Sequence, residues 1–427
     1  LKQAGGFSWG AVSVVVACTL GNGVSSVPMI NATYGVFLVP VSKALGWPRA
    51  DFSMVLLIMA VVGVIGHPAA GRLADRVGVK PVILVGNVLL ALSVAALYFT
   101  SSSRIAVYGL YVLVGIAATL SSVVLLSKPI SVCFERTRGF FFAISGAFGI
   151  NVSASIIPAV VALWMTQYGW RAAYLGIAAV IFVVGFPALL LLPRRLAPAA
   201  TRSAAPSALE GMTLREAART RSFWLLLGGI AGGAGSLTAT VTHIIPILTD
   251  RHLSMQLATG VFGAMALCNA SWQVVMGWLL DRTSSPKVAG FFLAISLLGL
   301  LLLGGATGST TLLAGGILLG MGTGTEYALL PYAIPRYFGN RHFSAIYGAI
   351  YGVTILVSGV APILMDVVFD ATGQYRNALI AMAITISASA LVFALLPIYQ
   401  SGPVKMPEDG PEGGLADLRL RGAAPVL

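Results

Sequence analysis

Three ionisable side chains in this sequence stand in apolar company. Glu326 lies in MGTGTEYALL, His243 in TATVTHIIP and Lys128 in VVLLSKPI. A charged group inside a long apolar run is costly and is usually kept for a task. A carboxyl group at that depth can hold a proton and give it up, which suits Glu326 to proton coupling. The other reading of Glu326 is structural, bonded to a nearby Tyr or Ser. Imidazole exchanges a proton readily and holds an anion when protonated, so His243 could touch substrate or proton. Its other reading is a cap on the outer end of its helix, just before Pro246. Lys128, before Pro129, is either a lone cation for a carboxylate or a side chain that snorkels to the headgroups.

Uncharged polar groups gather in the same runs. Asn22 and Asn31 punctuate the first, with Tyr34 close behind, and Asn151 stands in the fifth. Asn269 and Gln273 are one turn apart in the eighth, beside Trp272. Tyr347 and Tyr351 share a face of the eleventh, which Ser358 continues. With Lys128, His243 and Glu326, these are the candidate substrate-binding or proton-coupling residues. They describe a cavity with tyrosine hydroxyls, amides and few charges, fit for a substrate with an apolar body. Gly316, Gly320 and Gly324 recur every four residues and predict a close-packing helix face.

The elements that must hold these residues follow from composition. Of 427 residues, 57% are hydrophobic and 9% charged, where a soluble domain carries about 25% charged. The mean hydropathy is +0.91. Repeated apolar stretches of this length read as membrane-spanning helices. Charges, prolines and polar clusters divide the chain into twelve spans. The first six are 10–40, 52–71, 81–100, 105–130, 140–165 and 172–192. The second six are 223–247, 256–280, 288–307, 311–333, 344–367 and 378–397. Pro28 can break the ladder of the long first span. The first run is too long for a cleavable signal peptide. Cys18, Cys133 and Cys268 are far apart and predict neither a disulfide nor a metal site.

The net charge of +12 would suggest nucleic acid on a soluble protein. Here, counting Lys and Arg by side puts nineteen on the side of both termini and six on the other, with Lys128 inside a span. The positive-inside rule makes the richer side cytoplasmic. Orientation explains the charge, and nucleic acid drops out. The expectation is a multi-pass protein of a bacterial inner (plasma) membrane with both termini in the cytoplasm.

Two halves are visible. GRLADR at 71–76 matches GWLLDR at 277–282, FAISG at 142–146 matches SAIYG at 344–348, and Arg171 is placed like Arg376. The offsets of 206, 202 and 205 residues indicate a duplication and place a site between the halves near the bilayer midplane. The domains read as an N-terminal six-helix half (1–192), a linker (193–222), a C-terminal six-helix half (223–400) and a disordered tail (401–427). Part of the linker, around MTLREAAR, reads as an amphipathic surface helix. Asp75, Arg76, Asp281 and Arg282 form matched pairs that could latch one conformation. In that reading the aspartates cap a helix start or accept from Arg, and Gly71 and Gly277 permit close approach.

These features resemble the major facilitator superfamily along nearly the whole membrane region, and GRLADRVGVK resembles its loop between helices two and three. LGWPRADFS (45–53), YGWRAAY (168–174) and GTGTEYALLPYAIPRYFGNRHFSAIYG (322–348) are similar to its monocarboxylate and oxalate/formate transporter-like branch. The resemblance implies an all-α membrane protein, twelve helices in two six-helix halves with the major facilitator fold. It also implies transport of small carboxylates, often with a proton or in exchange. Arg in span eight and Lys in span eleven, usual in that branch, are absent here. That disfavours a two-carboxylate substrate.

The leading expectation is a monomeric secondary transporter of a small organic monocarboxylate anion, proton-coupled, working by alternating access, with exchange as a variant. A second reading is export of a hydrophobic or weakly cationic compound, with Glu326 as counter-charge. A non-transporting membrane sensor is a third, but linker and tail offer no signalling domain. No nucleophile–base pair, metal set or phosphate loop of the GxxxxGK[ST] kind occurs. An enzyme is therefore not expected, and neither is a cofactor; lipid and protons are the expected companions.

Overall fold

The computed structural model describes residues 9–134, 141–193, 211–283, 285, 287–339 and 341–397. The tail and most of the linker, 194–210, lie outside the described residues, as does the side chain of Asp281. The rest is a bundle of twelve membrane spans. Nine stretches among the described residues are long and apolar enough to cross a membrane. One of them, 144–190, turns back on itself and holds spans five and six. Met255–Arg282 and Ser309–Phe338, also long enough, complete the twelve.

Span one is not one helix. Trp9–Gly23 gives way to a π turn, Val27–Asn31, before a helix over Tyr34–Leu45. Pro28 stands at the start of that π turn, where its missing N–H costs least. Span two runs over Arg49–Val77 and span three over Val79–Ala96, leaving only Gly78 between them, at φ 94°. That left-handed backbone suits glycine. Span four is broken at Ser121 and Ser122 into Arg104–Leu120 and Val123–Cys133.

Span five starts as a π turn, Ala143–Phe148, and enters the helical stretch Gly149–Val180. Gly169, at φ 81°, reverses the chain inside that stretch and begins span six. Span six ends through Ile181–Gly185 and Phe186–Leu190. The sequence predicted a separate loop at 166–171. Glycine in the left-handed region makes the reversal without one.

In the linker, Thr213 and Glu216 form a reciprocal cap on the short helix Leu214–Ala217. The Thr213 backbone N–H donates to the Glu216 carboxylate at 2.8 Å, which holds that carboxyl below the usual range. The Met212 N–H donates to the Phe338 carbonyl at 2.8 Å, tying the linker to the end of span ten.

Spans seven to twelve are Arg221–Asp250, Met255–Arg282, Lys287–Gly305, Ser309–Phe338, Phe343–Thr372 and Arg376–Leu395. Span ten lies on span eight through the glycine face read from the sequence. A Cβ on Gly316, Gly320 or Gly324 would lie 2.7, 2.5 or 3.0 Å from the carbonyl oxygens of Val261, Met265 and Asn269. Glycine alone allows backbones that close, and the dispersion gained replaces a hydrophobic force that lipid does not supply.

The halves meet by the same device. Gly35 of span one faces the Thr242 carbonyl of span seven, 2.7 Å from where its Cβ would be. Pro246 lacks the N–H that would bond that carbonyl along the helix, so the bend expected near it appears instead as a freed oxygen. Gly359 of span eleven abuts Ala60 of span two, and Gly263 of span eight abuts Ser155 of span five.

Candidate functional site

The end of the bundle opposite the linker, here the far end, is closed by a bonded network between the halves. Span two begins there with Arg49. Its guanidinium donates to both carboxylate oxygens of Asp250, at 2.5 and 3.0 Å, and to the Tyr375 hydroxyl at 2.9 Å. It also stacks on the Phe369 ring, 3.8 Å from the centroid. The first backbone N–H groups of span two, on Arg49 and Ala50, donate to Asp370 of span eleven at 3.1 and 2.9 Å. One half's carboxylate thus caps the other half's helix start, where the helix dipole favours negative charge.

One turn deeper lies Asp366, with no accessible surface. Its Oδ1 accepts from Tyr375 at 3.1 Å. Its Oδ2 accepts from the hydroxyl of Ser53, which in turn bonds Tyr34. Burial, and next the Asp366 charge, push the Tyr375 phenol up, so it remains a donor. His243, equally buried, places Nε2 3.0 Å from Asp366 Oδ2. That is ion-pair distance, though off the line of a hydrogen bond. His243 Nδ1 lies 2.8 Å from the Ala239 carbonyl and 3.1 Å from the Thr242 hydroxyl.

The carbonyl can only accept, so we assign the ring proton of a neutral His243 to Nδ1. Nε2 then faces a carboxylate oxygen. Two acceptors at 3.0 Å repel unless a proton lies between them, on the imidazole or on the acid. A proton between them would relieve that repulsion.

The candidates from sequence fall into three places. Tyr34 and His243 belong to the far-end network. His243 does not cap a helix end, because span seven continues unbroken to Asp250.

A second group lies in the C-terminal half. Asn269 accepts from Gln273 at 2.8 Å, and Trp272 donates to Thr325 at 3.1 Å. The Tyr347 and Tyr351 rings lie tilted to each other, 5.4 Å between centroids. Glu326 is half-buried, and it has no hydrogen bond or ion pair among the described residues.

The remaining candidates serve local structure or stand alone. The Asn22 amide donates to the Ser145 carbonyl at 2.9 Å, joining spans one and five. Asn151 bonds the Ala147 carbonyl of its own helix at 2.7 Å. Asn31 is exposed at the end of the π turn. Lys128 pairs with Asp75, both partly exposed, and both from the N-terminal half.

That pairing revises the matched latches. Asp75 lies in the last turn of span two, where it cannot cap a helix start, and its partner is Lys128. Arg76 is exposed. Arg282 stacks on Trp278 of its own helix, 4.1 Å from the ring centroid. Close approach at Gly71 and Gly277 is absent among the described residues in this conformation: a Cβ on either would meet none of them within 4 Å. The same holds for Gly348 and Gly352 of span eleven. The bundle is shut at the far end and loose around these glycines near the linker.

Arg49, Asp250, Asp366, Asp370 and Tyr375 were not among the sequence candidates. Asp366 had a usable signal: it is a carboxylate inside the apolar run 344–367.

Two helical halves with a buried, bonded polar centre between them define a membrane carrier. The chain matches the Major Facilitator Superfamily over residues 20–309 and 261–422, and it belongs to that superfamily. It is 26% identical over 359 residues to monocarboxylate transporter 11 of Homo sapiens, covering 81% of this chain and 75% of that one. It is 25% identical over 382 residues to a 4-hydroxybenzoate transporter of Pseudomonas putida, covering 77% and 83%. Among solved structures it is similar to a bacterial homologue of the human lysosomal transporter Spinster. That match has a TM-score of 0.73 and 13% identity, over 92% of this chain and 97% of the other. These relatives are transporters, and the chain is not an enzyme.

Proposed function

We propose that this protein moves a small organic monocarboxylate with an apolar body, together with a proton, by alternating access. The carrying observation is the His243–Asp366 pair, whose carboxylate also accepts from Ser53 of the other half. Gaining a proton satisfies the pair and favours closure of the far end. Losing it sets an imidazole lone pair against a carboxylate and favours parting of the halves. Proton binding is thereby tied to which end is open.

The richer Lys and Arg content of the linker side assigns that side to the cytoplasm, so the conformation described opens inward. In the cycle, proton and substrate enter from outside, the far end closes over them, and both leave inside. The substrate body would lie among Trp272, Tyr347 and Tyr351. Its carboxylate would be held by hydroxyl and amide donors such as Gln273, since spans eight and eleven supply no Arg or Lys between 256–280 and 344–367. An aromatic monocarboxylate suits this lining, and the names of the relatives support the class.

The test is uptake into proteoliposomes with labelled 4-hydroxybenzoate, benzoate and lactate, acid outside and neutral inside. Accumulation of an aromatic acid that collapses with a protonophore supports the reading. Uptake indifferent to the gradient removes proton coupling. Transport only of a hydrophobic cation would recast Glu326 as its counter-charge and sink the carboxylate assignment.

A further inference from the structure

A cavity lies outside the path between the halves. It occupies about 1020 Å³ at the far end, wholly within spans seven, nine, eleven and twelve and the turns joining them. Pockets for small molecules run from about 300 to 1,000 Å³. Its depth is apolar, between Leu297 and Leu300 of span nine and Leu379 and Ala383 of span twelve. Leu301, Ile380 and Ile384 line it and are exposed, so the cavity opens sideways, toward lipid. Its mouth, at the ends of the helices, carries Arg251 and Arg376.

The internal duplication shows which of these charges is spare. In the first half Arg171 donates to the Thr100 carbonyl and so closes the end of span three. In the second half Arg251 takes that task, donating to the carbonyls of Leu303 and Ala306 at the end of span nine. Arg376, the counterpart of Arg171, is exposed and has no hydrogen bond or ion pair among the described residues. The acidic residue at the mouth, Asp250, is already matched by Arg49. The mouth therefore keeps net positive charge above an apolar slot that faces the membrane.

From this geometry we infer a binding site for an anionic phospholipid, one acyl chain in the slot between spans nine and twelve and its phosphate at Arg376. Phe369, Tyr375 and Asp250 line the cavity on one side and build the Arg49 closure on the other. A lipid seated there supports the closed far end from behind. The site does not depend on what the carrier transports.

The test is thermal unfolding of the full chain in detergent, with dioleoyl-phosphatidylglycerol or dioleoyl-phosphatidylcholine added at equal concentration. A ligand that binds the folded state raises the transition. We expect phosphatidylglycerol to raise it by a few degrees more than phosphatidylcholine. Arg376→Gln should erase that difference, and Ala383→Trp, which fills the slot, should remove stabilisation by both. Ser387→Trp, lower on the same wall, serves if Ala383→Trp does not fold. Equal stabilisation by the two lipids in the parent, or a headgroup preference that survives Arg376→Gln, overturns the assignment. So does unchanged stabilisation in a folded slot-filling variant.

Discussion

His243 Nε2 and Asp366 Oδ2 lie 3.0 Å apart with no accessible surface on either residue. The same carboxylate oxygen accepts from Ser53, 313 residues away in the other half. The contact with the imidazole and the contact between halves therefore share one atom.

Replacing Asp366 by Asn keeps the shape and removes the charge. Gradient-driven accumulation of substrate should fall about tenfold or more, a barrier change of about 1.4 kcal/mol. Exchange of labelled for unlabelled substrate at equal pH should persist. Loss of both activities in a folded variant would count against a coupling role. Asp366→Ala should also lower stability by about 3 kcal/mol, as expected when one partner of a buried pair is removed; thermal melting reads this.

Arg49 and Asp250 offer a direct handle on the closed end. With Cys18, Cys133 and Cys268 replaced, Arg49→Cys/Asp250→Cys joined by a short bifunctional reagent should stop transport. A cleavable version of the reagent should restore it on reduction. Undiminished transport by the cross-linked protein would mean that these residues need not separate.

Glu326→Gln divides two roles for the one carboxylate left without a bonded partner among the described residues. If it takes part in proton movement, accumulation falls and exchange survives. If it binds a cationic substrate, binding itself disappears. Ligand-induced thermal shifts at constant pH separate these outcomes.

Gly320→Val should destabilise by about 1–3 kcal/mol, as overpacking does, because its Cβ would come within 2.5 Å of the Met265 carbonyl oxygen. Gly71→Ala, with none of the described residues within 4 Å, should melt as the parent does. A transport defect in Gly71→Ala alone would show that the open glycine is approached in the other conformation.

The spans were legible because hydropathy is a local property, and so was the glycine face of span ten, whose four-residue period lies on one helix. The far-end network was not. Its bonds between the halves join residues separated by 201 to 326 positions, and a single sequence carries no record of such pairings. Arg49 looked like a charge at a membrane border, and Asp366 sat at the margin of its apolar run near Asp370. Asp75 beside Arg76 suggested a latch by adjacency. Neighbours on a helix point about 100° apart, and the Asp75 carboxylate instead reaches Lys128 on another span.

The contact of Gly35 with the Thr242 carbonyl has a mechanical consequence. Thr242 lies twenty-one residues beyond Arg221 and eight short of Asp250, so at 1.5 Å per residue the arms are about 32 and 12 Å. Used as a fulcrum, the contact gives a lever with a ratio of roughly 2.6. Parting Arg49 from Asp250 by about 3 Å, enough to break their bonds, would sweep the linker end through about 8 Å. A small displacement at the far end is thereby geared to a large one at the linker end.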